Sequence, residues 1–167
     1  MSPFVTSRRG SRILLFWILA VLVVLIDQAT KTAVRVISPA EGYMGTLIPG
    51  VIDLVHVENT GAAFSMGEGA GSLFVLVALV VSCVAFAFVC TQDIPMSLTA
   101  SIACVVGGGL GNMVDRLARG SVTDFIATAF MNFPVFNVAD IAVTCGIAIS
   151  LIGYLMWEQS LPPEERR

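Results

Sequence analysis

Four long runs of apolar residues divide the chain, and each is long enough to cross a membrane as a helix. A bilayer core about 30 Å thick needs roughly 20 helical residues. The second run is interrupted only by Ser82, the third carries no charge, and the fourth contains Asp140 as its one charge. The pattern predicts helices over residues 13–37, 73–90, 94–114 and 138–157.

The first run resembles the core of a signal peptide, because three arginines between residues 8 and 12 precede it. However, it lacks a cleavage site of the small-x-small type, and the polar segment Asp27–Lys31 follows it directly. A helix that continues to about Ile37 would span the bilayer. We therefore interpret this run as the first membrane-spanning helix.

Composition agrees with a membrane protein of one domain. The chain is 56% hydrophobic and 13% charged, with a mean hydropathy of +0.88, whereas roughly a quarter of residues are charged in soluble domains. A length of 167 residues suits a single helical bundle. A net charge of −3 without a basic stripe argues against a nucleic-acid partner.

The cysteines and the single histidine argue against a metal centre. Cys83, Cys90, Cys104 and Cys145 lie inside apolar stretches and form no CxxC pair, so we interpret them as small buried hydrophobic residues. With only His56 available, a zinc site or a Ser-His-Asp triad is unsupported. We expect no metal and no other cofactor.

The distribution of basic residues predicts that both termini face the cytoplasm. Arginines flank the first helix, and Arg166 and Arg167 lie near the other end. The loop at 38–72 has acidic residues but no Lys or Arg, as an exported loop should. Arg116 and Arg119 lie in the second predicted outer loop and do not fit this distribution of basic residues. The predicted organisation is a cytoplasmic tail at 1–12, a membrane domain at 13–157 with outer loops at 38–72 and 115–137, and a cytoplasmic tail at 158–167.

The first outer loop contains a candidate β element. Pro49 and Gly50 are typical turn residues, and Val51–Glu58 is rich in β-branched residues with partial alternation. This pattern predicts a short sheet element over 47–59. Such an element could steady an extended peptide by main-chain pairing, or it could be an ordinary structured loop. The predicted fold class is an all-α integral membrane protein with this small extracytoplasmic β platform.

The third helix ends in glycines followed by polar residues. Gly107 and Gly111 have small-xxx-small spacing, which favours close helix packing over a phosphate cradle. Asn112, Asp115 and Arg116 follow at i, i+3 and i+4, so they would share one face of a continued helix. The neighbouring Asp115 and Arg116 could simply neutralise each other.

Two aspartates could meet at the start of the fourth helix. Asp140 lies three residues after Asn137, where a helix N-terminus favours a carboxylate, so it could be only a cap. Asp124 lies sixteen residues earlier, in a short stretch that returns toward the membrane. Two close carboxyl groups in a low-dielectric site share a proton, so one acts as a base toward water and the other as an acid.

Other polar residues have plainer interpretations. Asp27 and Lys31 are spaced i and i+4 and could be a self-neutralising pair. The segment Asn59–Phe64 suits a tight turn or the wall of a substrate groove. The candidates to orient the carboxyl groups or to bind a substrate backbone are Asn112, Arg116 and Asn137.

Five motifs, in order, resemble those of the bacterial lipoprotein signal peptidases, also called signal peptidase II. The similarity extends from about residue 13 to 157, with no departure inside the motifs. The motifs are Asp27-Gln28-Ala29-Thr30-Lys31, Asn59-Thr60-Gly61-Ala62-Ala63-Phe64, Gly108-Gly109-Leu110-Gly111-Asn112-Met113-Val114-Asp115-Arg116, Val122-Thr123-Asp124-Phe125 and Phe136-Asn137-Val138-Ala139-Asp140.

The resemblance implies an aspartyl endopeptidase of the bacterial inner membrane, active at its outer face. Such an enzyme cuts signal peptides from prolipoproteins before a diacylglyceryl-modified cysteine, and the cyclic peptide globomycin inhibits it. The motif match implies Asp124 and Asp140 as the catalytic dyad. It also implies supporting or substrate-binding positions at Asn112, Arg116, Asn137, Asp115, Asn59, Gly61, Asp27 and Lys31. We expect prolipoproteins and membrane lipids as partners and a monomeric enzyme.

Two other classes of protein remain open on residue patterns alone. A small proton-coupled transporter would string carboxylates across the membrane, whereas the aspartates at 27, 115, 124 and 140 all map near the outer boundary. A noncatalytic assembly subunit would use its polar residues only to hold helices together. In that case, substituting Asp124 and Asp140 would affect stability but no reaction.

Overall fold

The computed structural model describes residues 8–61 and 71–162. Four helices in it are each long and apolar enough to cross a membrane, which confirms the predicted all-α membrane fold. They are α1 (Arg9–Ile37), α2 (Gly71–Thr91), α3 (Met96–Arg119) and α4 (Val138–Ser160). The predicted tail residues at 1–7 and 163–167, with Arg166 and Arg167, and the motif residues Ala62–Phe64 lie outside the described residues.

Helix α1 begins at Arg9, four residues before the predicted start. Arg12 lies inside the helix and is 3% exposed, and its side chain pairs with Asp93 in the turn between α2 and α3. The hydrophobic run marks where apolar residues begin, whereas the helix can also include a basic residue that finds an acidic partner. Residues 9–12 therefore belong to the helix and not to a tail.

Helix α3 continues five residues beyond the predicted end at Val114 and finishes at Arg119. Gly120 ends it with a φ of 78°, and its N–H bonds to the carbonyl oxygen of Arg116. Glycine takes this left-handed conformation without the steric penalty that a side chain would impose. The extension keeps Asp115 and Arg116 on the helix, as the spacing of polar residues suggested.

Three antiparallel strands form one small sheet in the order β1-β2-β3. They are β1 (Gly42–Ile48), β2 (Ile52–Asn59) and β3 (Val122–Thr128). The predicted element over 47–59 is thus the turn and second strand of a hairpin. The third strand is not predicted by the sequence, which indicates only a short stretch around Asp124 that returns toward the membrane. Its pairing places Asp124 opposite Val57, two residues from Asn59.

The sheet lies at the end of the bundle where α1 and α3 finish and where α2 and α4 begin. We call this the sheet end, and the opposite end, which includes Arg12 and Asp93, the far end. Helix α3 is central, since it makes the most extensive contacts with the other three helices. The side chains of the candidate site lie at the sheet end.

Glycines allow α3 to pack closely on its neighbours. A Cβ at Gly107 would lie 2.7 Å from the backbone oxygen of Ala20 in α1, and one at Gly111 would lie 2.6 Å from Oδ2 of Asp27. A Cβ at Gly108 would overlap the backbone oxygen of Ala139 in α4. These contacts support the helix-packing interpretation of the glycine run.

The prediction that all four cysteines are buried is wrong for two of them. Cys83 and Cys145 are exposed on helix surfaces, whereas Cys90 and Cys104 are partly buried, and all four are free thiols. In a membrane protein an apolar run does not identify the buried face, because lipid-facing positions are equally apolar.

Candidate active site

A pocket of about 500 Å³ opens at the sheet end of the bundle. It takes side chains from β2, α3, β3, the segment before α4 and α4 itself, and both Asp124 and Asp140 line it. Its apolar wall consists mainly of Phe133, Pro134, Val135, Phe136 and Ile141. The structure therefore brings the two candidate carboxyl groups, which come from different elements, to one concave surface.

Asp140 is held by the N-terminus of α4. The Asn137 side chain accepts a hydrogen bond from the Asp140 backbone N–H at 3.0 Å, and the Asp140 Oδ2 accepts one from the Asn137 backbone N–H at 3.0 Å. This reciprocal capping box satisfies two backbone N–H groups that the helix would leave unpaired. Asp140 is therefore a cap, as its spacing predicted, and it also faces the pocket.

Asp124 lies on β3 and is 3% exposed. Its Oδ1 accepts a hydrogen bond from Nδ2 of Asn137 at 2.6 Å, and its Oδ2 accepts one from Nδ2 of Asn59 at 2.9 Å. Burial raises the pKa of Asp124 from 3.8 to about 6, with a further increase from the charge of Asp140, against the lowering effect of these hydrogen bonds. An acidic group buried beside a second acid is typical of acid-base sites.

Asn112 connects the two carboxyl groups to the interior of the bundle. Its Nδ2 donates to Oδ1 of Asp140 at 2.8 Å. Its Oδ1 accepts from Nδ2 of Asn137 at 3.1 Å and from Nζ of Lys31 at 2.8 Å. Asp124 and Asp140 thus belong to one hydrogen-bonded network through the two asparagines.

Lys31 occupies the centre of a buried ion cluster under the pocket. Its Nζ lies 2.8 Å from Asp27 and 3.0 Å from Asp115, and none of the three side chains is more than 1% exposed. Asp27 also accepts the backbone N–H of Ala139 at 3.0 Å, which ties α1 to the first turn of α4. The Asp27–Lys31 pairing expected from the i, i+4 spacing is present, with Asp115 as an additional partner.

Arg35 is a member of this cluster that sequence reasoning missed. It lies 3.7 Å from Asp115 and donates to Thr123 Oγ1 at 2.9 Å. Since Thr123 immediately precedes Asp124, Arg35 helps to position the strand that carries the acid. Its spacing of four residues after Lys31 on one helix face was the available signal.

Asp115 and Arg116 do not pair with each other as one interpretation suggested. Asp115 faces Lys31 and Arg35, whereas NH2 of Arg116 donates to the backbone oxygen of Gly61 at 2.8 Å. The Arg116 guanidinium also lies 4.9 Å from the ring centre of Phe74. Within the described part of the chain, its buried Nε finds no acceptor.

His56 has a structural position in the sheet. Its Nδ1 donates to the backbone oxygen of Ser38 at 2.6 Å, and its Nε2 lies 3.0 Å from Oε1 of Glu58. Burial alone would raise the pKa of Glu58, but hydrogen bonds from Ser121, His56 and Thr123 outweigh it and lower the pKa. These contacts fix the sheet to the ends of α1 and α3.

Among the described residues, no group of three or more His, Cys, Asp and Glu side chains could hold a metal ion. The polar groups that line the pocket are the carboxyl groups of Asp124 and Asp140, the amides of Asn59 and Asn112, the Arg116 guanidinium, the Thr144 hydroxyl and the Cys145 thiol. Such a set can transfer protons and bind a peptide backbone.

Comparison with known proteins gives one consistent family. The family model described as signal peptidase (SPase) II, peptidase family A8, matches residues 19–156. The lipoprotein signal peptidase of Gloeobacter violaceus is 40% identical over 155 residues, covering 90% of this chain and 87% of that protein. That of Latilactobacillus sakei is 35% identical over 147 residues, covering 87% of this chain and 97% of that protein.

A solved structure agrees with the sequence comparison. A bacterial membrane enzyme determined by the in meso method superimposes with a TM-score of 0.79 at 27% identity, covering 95% of each chain. A second such enzyme has a TM-score of 0.74 at 29% identity. The resemblance drawn from the five motifs is confirmed.

Proposed function

The chain belongs to the signal peptidase II family, and from this premise we propose that it removes signal peptides from diacylglyceryl-modified prolipoproteins with Asp124 and Asp140 as an aspartyl dyad. The cut is made before the lipid-modified cysteine. The observation that carries the proposal is that both carboxyl groups line one pocket and are joined through Asn137 and Asn112.

The reaction uses water and two carboxyl groups that share one proton. The ionised carboxylate takes a proton from water, and the resulting hydroxide adds to the scissile carbonyl carbon. The protonated carboxyl donates to the carbonyl oxygen as negative charge develops there. Collapse of the intermediate breaks the C–N bond, and the proton taken from water passes to the leaving amine. This sequence needs no metal and no covalent intermediate.

The polar residues around the dyad have separate roles in this proposal. Asn59, Asn112 and Asn137 orient the carboxyl groups by donating side-chain N–H groups to them. Arg116 fixes the backbone at Gly61, and its Nε, which has no acceptor among the described residues, would donate to a carbonyl oxygen of an extended substrate. Asp27, Lys31 and Asp115 support the site from below without contacting the substrate.

The pocket also suits an apolar substrate. A signal peptide is an apolar helix, and its modified cysteine carries acyl chains that need a hydrophobic surface. The aromatic wall from Phe133 to Phe136 lies directly beside the dyad. In this proposal the sheet end faces outward with both termini in the cytoplasm, so that the dyad and the scissile bond share one depth. A cyclic peptide of the globomycin type would compete for the same pocket.

Cleavage by two single variants tests the dyad. Purified protein in detergent is incubated with a lipid-modified preprolipoprotein, and Asp124→Asn and Asp140→Asn are compared with the wild type. Each variant should bind the substrate but lose at least about 10²-fold in kcat, because each removes one half of the acid-base pair.

Asp53→Asn is the matched control, since it removes a half-buried carboxyl group on β2 that lies outside the pocket and is hydrogen-bonded to Thr46 at 2.7 Å. It should cleave at the wild-type rate. Retained cleavage by Asp124→Asn or by Asp140→Asn would remove that residue from the dyad, and a loss of stability without loss of cleavage would favour a role in assembly only.

A further inference from the structure

The orientation of the Asn112 amide is fixed by its neighbour on α1. The Lys31 ammonium can only donate hydrogen bonds, and it lies 2.8 Å from one end of the amide. That end must therefore be the oxygen. The amide N–H group is left to face Oδ1 of Asp140 at 2.8 Å.

Asp140 consequently receives hydrogen bonds from donors on both carboxyl oxygens. The Asn112 amide donates to Oδ1, and the Asn137 backbone N–H donates to Oδ2 at 3.0 Å. Asp140 also occupies the first turn of α4, where the helix dipole favours negative charge. Hydrogen bonds to the charged form and a helix N-terminus both favour a carboxylate over a carboxylic acid.

The environment of Asp124 favours its neutral form. Both of its oxygens also accept side-chain N–H groups, from Asn59 and Asn137, but it lies on a strand and has no helix N-terminus beside it. Because the group is 3% exposed, burial penalises its charge, in agreement with its raised pKa. An apolar substrate that displaces water from the pocket would extend the pH range in which Asp124 stays protonated.

The buried ion cluster beneath the dyad has no net charge, and Arg116 in the pocket wall adds one positive charge. Lys31 and Arg35 on α1 face Asp27 on α1 and Asp115 on α3, which gives two positive and two negative charges, and Arg116 on α3 lies in the pocket wall. Lys31 therefore acts on Asn112 mainly through the direction of its hydrogen bond and less through net charge.

We propose that Lys31 is a positioning residue that, through the Asn112 amide, holds Asp140 as the ionised base of the dyad and leaves the resting proton on Asp124. This assignment rests on the proposed function. Asp140 takes the proton from water, and Asp124 gives its proton to the carbonyl oxygen. When the C–N bond breaks, Asp140 passes its proton to the amine and Asp124 regains one from the intermediate, so both return to their starting states.

The first test removes the directing donor while it keeps the cluster neutral. Lys31→Gln combined with Asp115→Asn deletes one positive and one negative charge, and Gln can present either end of its amide to Asn112. We expect the acid limb of the pH–kcat profile to move up by about one pH unit, a tenfold change in an ionisation constant. KM should change by less than about twofold, because Lys31 does not contact the substrate.

Two comparisons separate positioning from stability. Lys31→Arg keeps a side chain that can only donate, so it should return the acid limb toward the wild-type position. Arg12→Gln combined with Asp93→Asn removes an ion pair at the far end and should leave the profile unchanged. A lower kcat without a shift of the acid limb in Lys31→Gln/Asp115→Asn would show a merely structural role and overturn the proposal.

The second test locates the proton directly and does not depend on how the cluster variant folds. Infrared difference spectra at about pH 5, between the ordinary pKa of Asp and the raised one, report the C=O stretch of protonated carboxyl groups. Asp124→Asn should remove such a band that Asp140→Asn retains. The reverse pattern would overturn the assignment of the proton to Asp124. It would not affect the proposed dyad, because the dyad is tested separately by the cleavage rates of these two variants.

Discussion

The two ends of the bundle each join α1 to the α2–α3 half of the chain through an ion pair, but the pairs differ in burial. At the far end Arg12 meets Asp93, whose side chain is 74% exposed. At the sheet end Lys31 meets Asp27 and Asp115, and all three are nearly inaccessible. Water can solvate Asp93 if its partner is lost, whereas the sheet-end acids would remain buried with their charge. The same kind of contact therefore has a different energetic role at each end.

The largest expected effect is on the sheet-end cluster. Lys31→Met leaves Asp27 and Asp115 with one fewer positive partner, and breaking a buried pair in this way costs about 3–5 kcal/mol of unfolding free energy. Denaturant titration in detergent, followed by circular dichroism, measures it. A loss below about 1 kcal/mol would mean that water reaches the cluster and would remove the contrast between the two ends.

The second effect concerns pH and Asp124. Its folded pKa of about 6 lies above the unfolded value of 3.8, so its contribution to stability is fully present below about pH 4 and is lost as pH rises through 6. The total is roughly 3 kcal/mol at 1.36 kcal/mol per pKa unit. Melting temperatures between about pH 4 and 7 should fall less steeply in Asp124→Asn than in the wild type. Gly109→Ala changes no titratable group and introduces no close contact, so it is the control and its slope should parallel the wild type; an unchanged slope in Asp124→Asn contradicts the prediction.

A third effect tests how closely the helices pack at the sheet end. Gly111→Ala would place a Cβ 2.6 Å from Oδ2 of Asp27, and Asp27 cannot move away without losing Lys31. Overpacking of this kind costs about 1–3 kcal/mol. Gly109→Ala is the matched control, since nothing lies within 4 Å of a Cβ there. Equal melting temperatures for the two variants would show that the Asp27 side chain can shift to accommodate the added methyl group, and would contradict the prediction.

The smallest effect is expected at the far end. Arg12→Met leaves Asp93, which is 74% exposed, to be solvated by water, so it should cost less than about 1 kcal/mol, as the loss of an exposed charge's partner generally does. Comparison with Lys31→Met then gives the difference between the two ends as a difference in the free energy of unfolding. A cost equal to that of Lys31→Met would mean that exposure does not decide the role of these pairs.

The four helices and strand β2 with the turn before it follow from local patterns, because hydrophobic runs and β-branched residues report on neighbours in the chain, whereas β1 was not predicted. The capping role of Asp140 was also readable from its spacing to Asn137. By contrast, β3 pairs with a strand more than sixty residues away, and a local sequence pattern cannot predict which distant strand it pairs with. For the same reason the bonds of Asn112 to Lys31 and to Asp140 could not be predicted, although each residue was selected as a candidate.

The capping box at Asn137 and Asp140 has a consequence for when activity arises. The Asp140 side chain both caps the start of α4 and lines the pocket, so the pocket is complete only when the first turn of α4 has formed. Under the proposed mechanism, a nascent chain whose fourth helix has not yet inserted would therefore lack an assembled dyad, and cleavage would begin only once α4 is in the membrane.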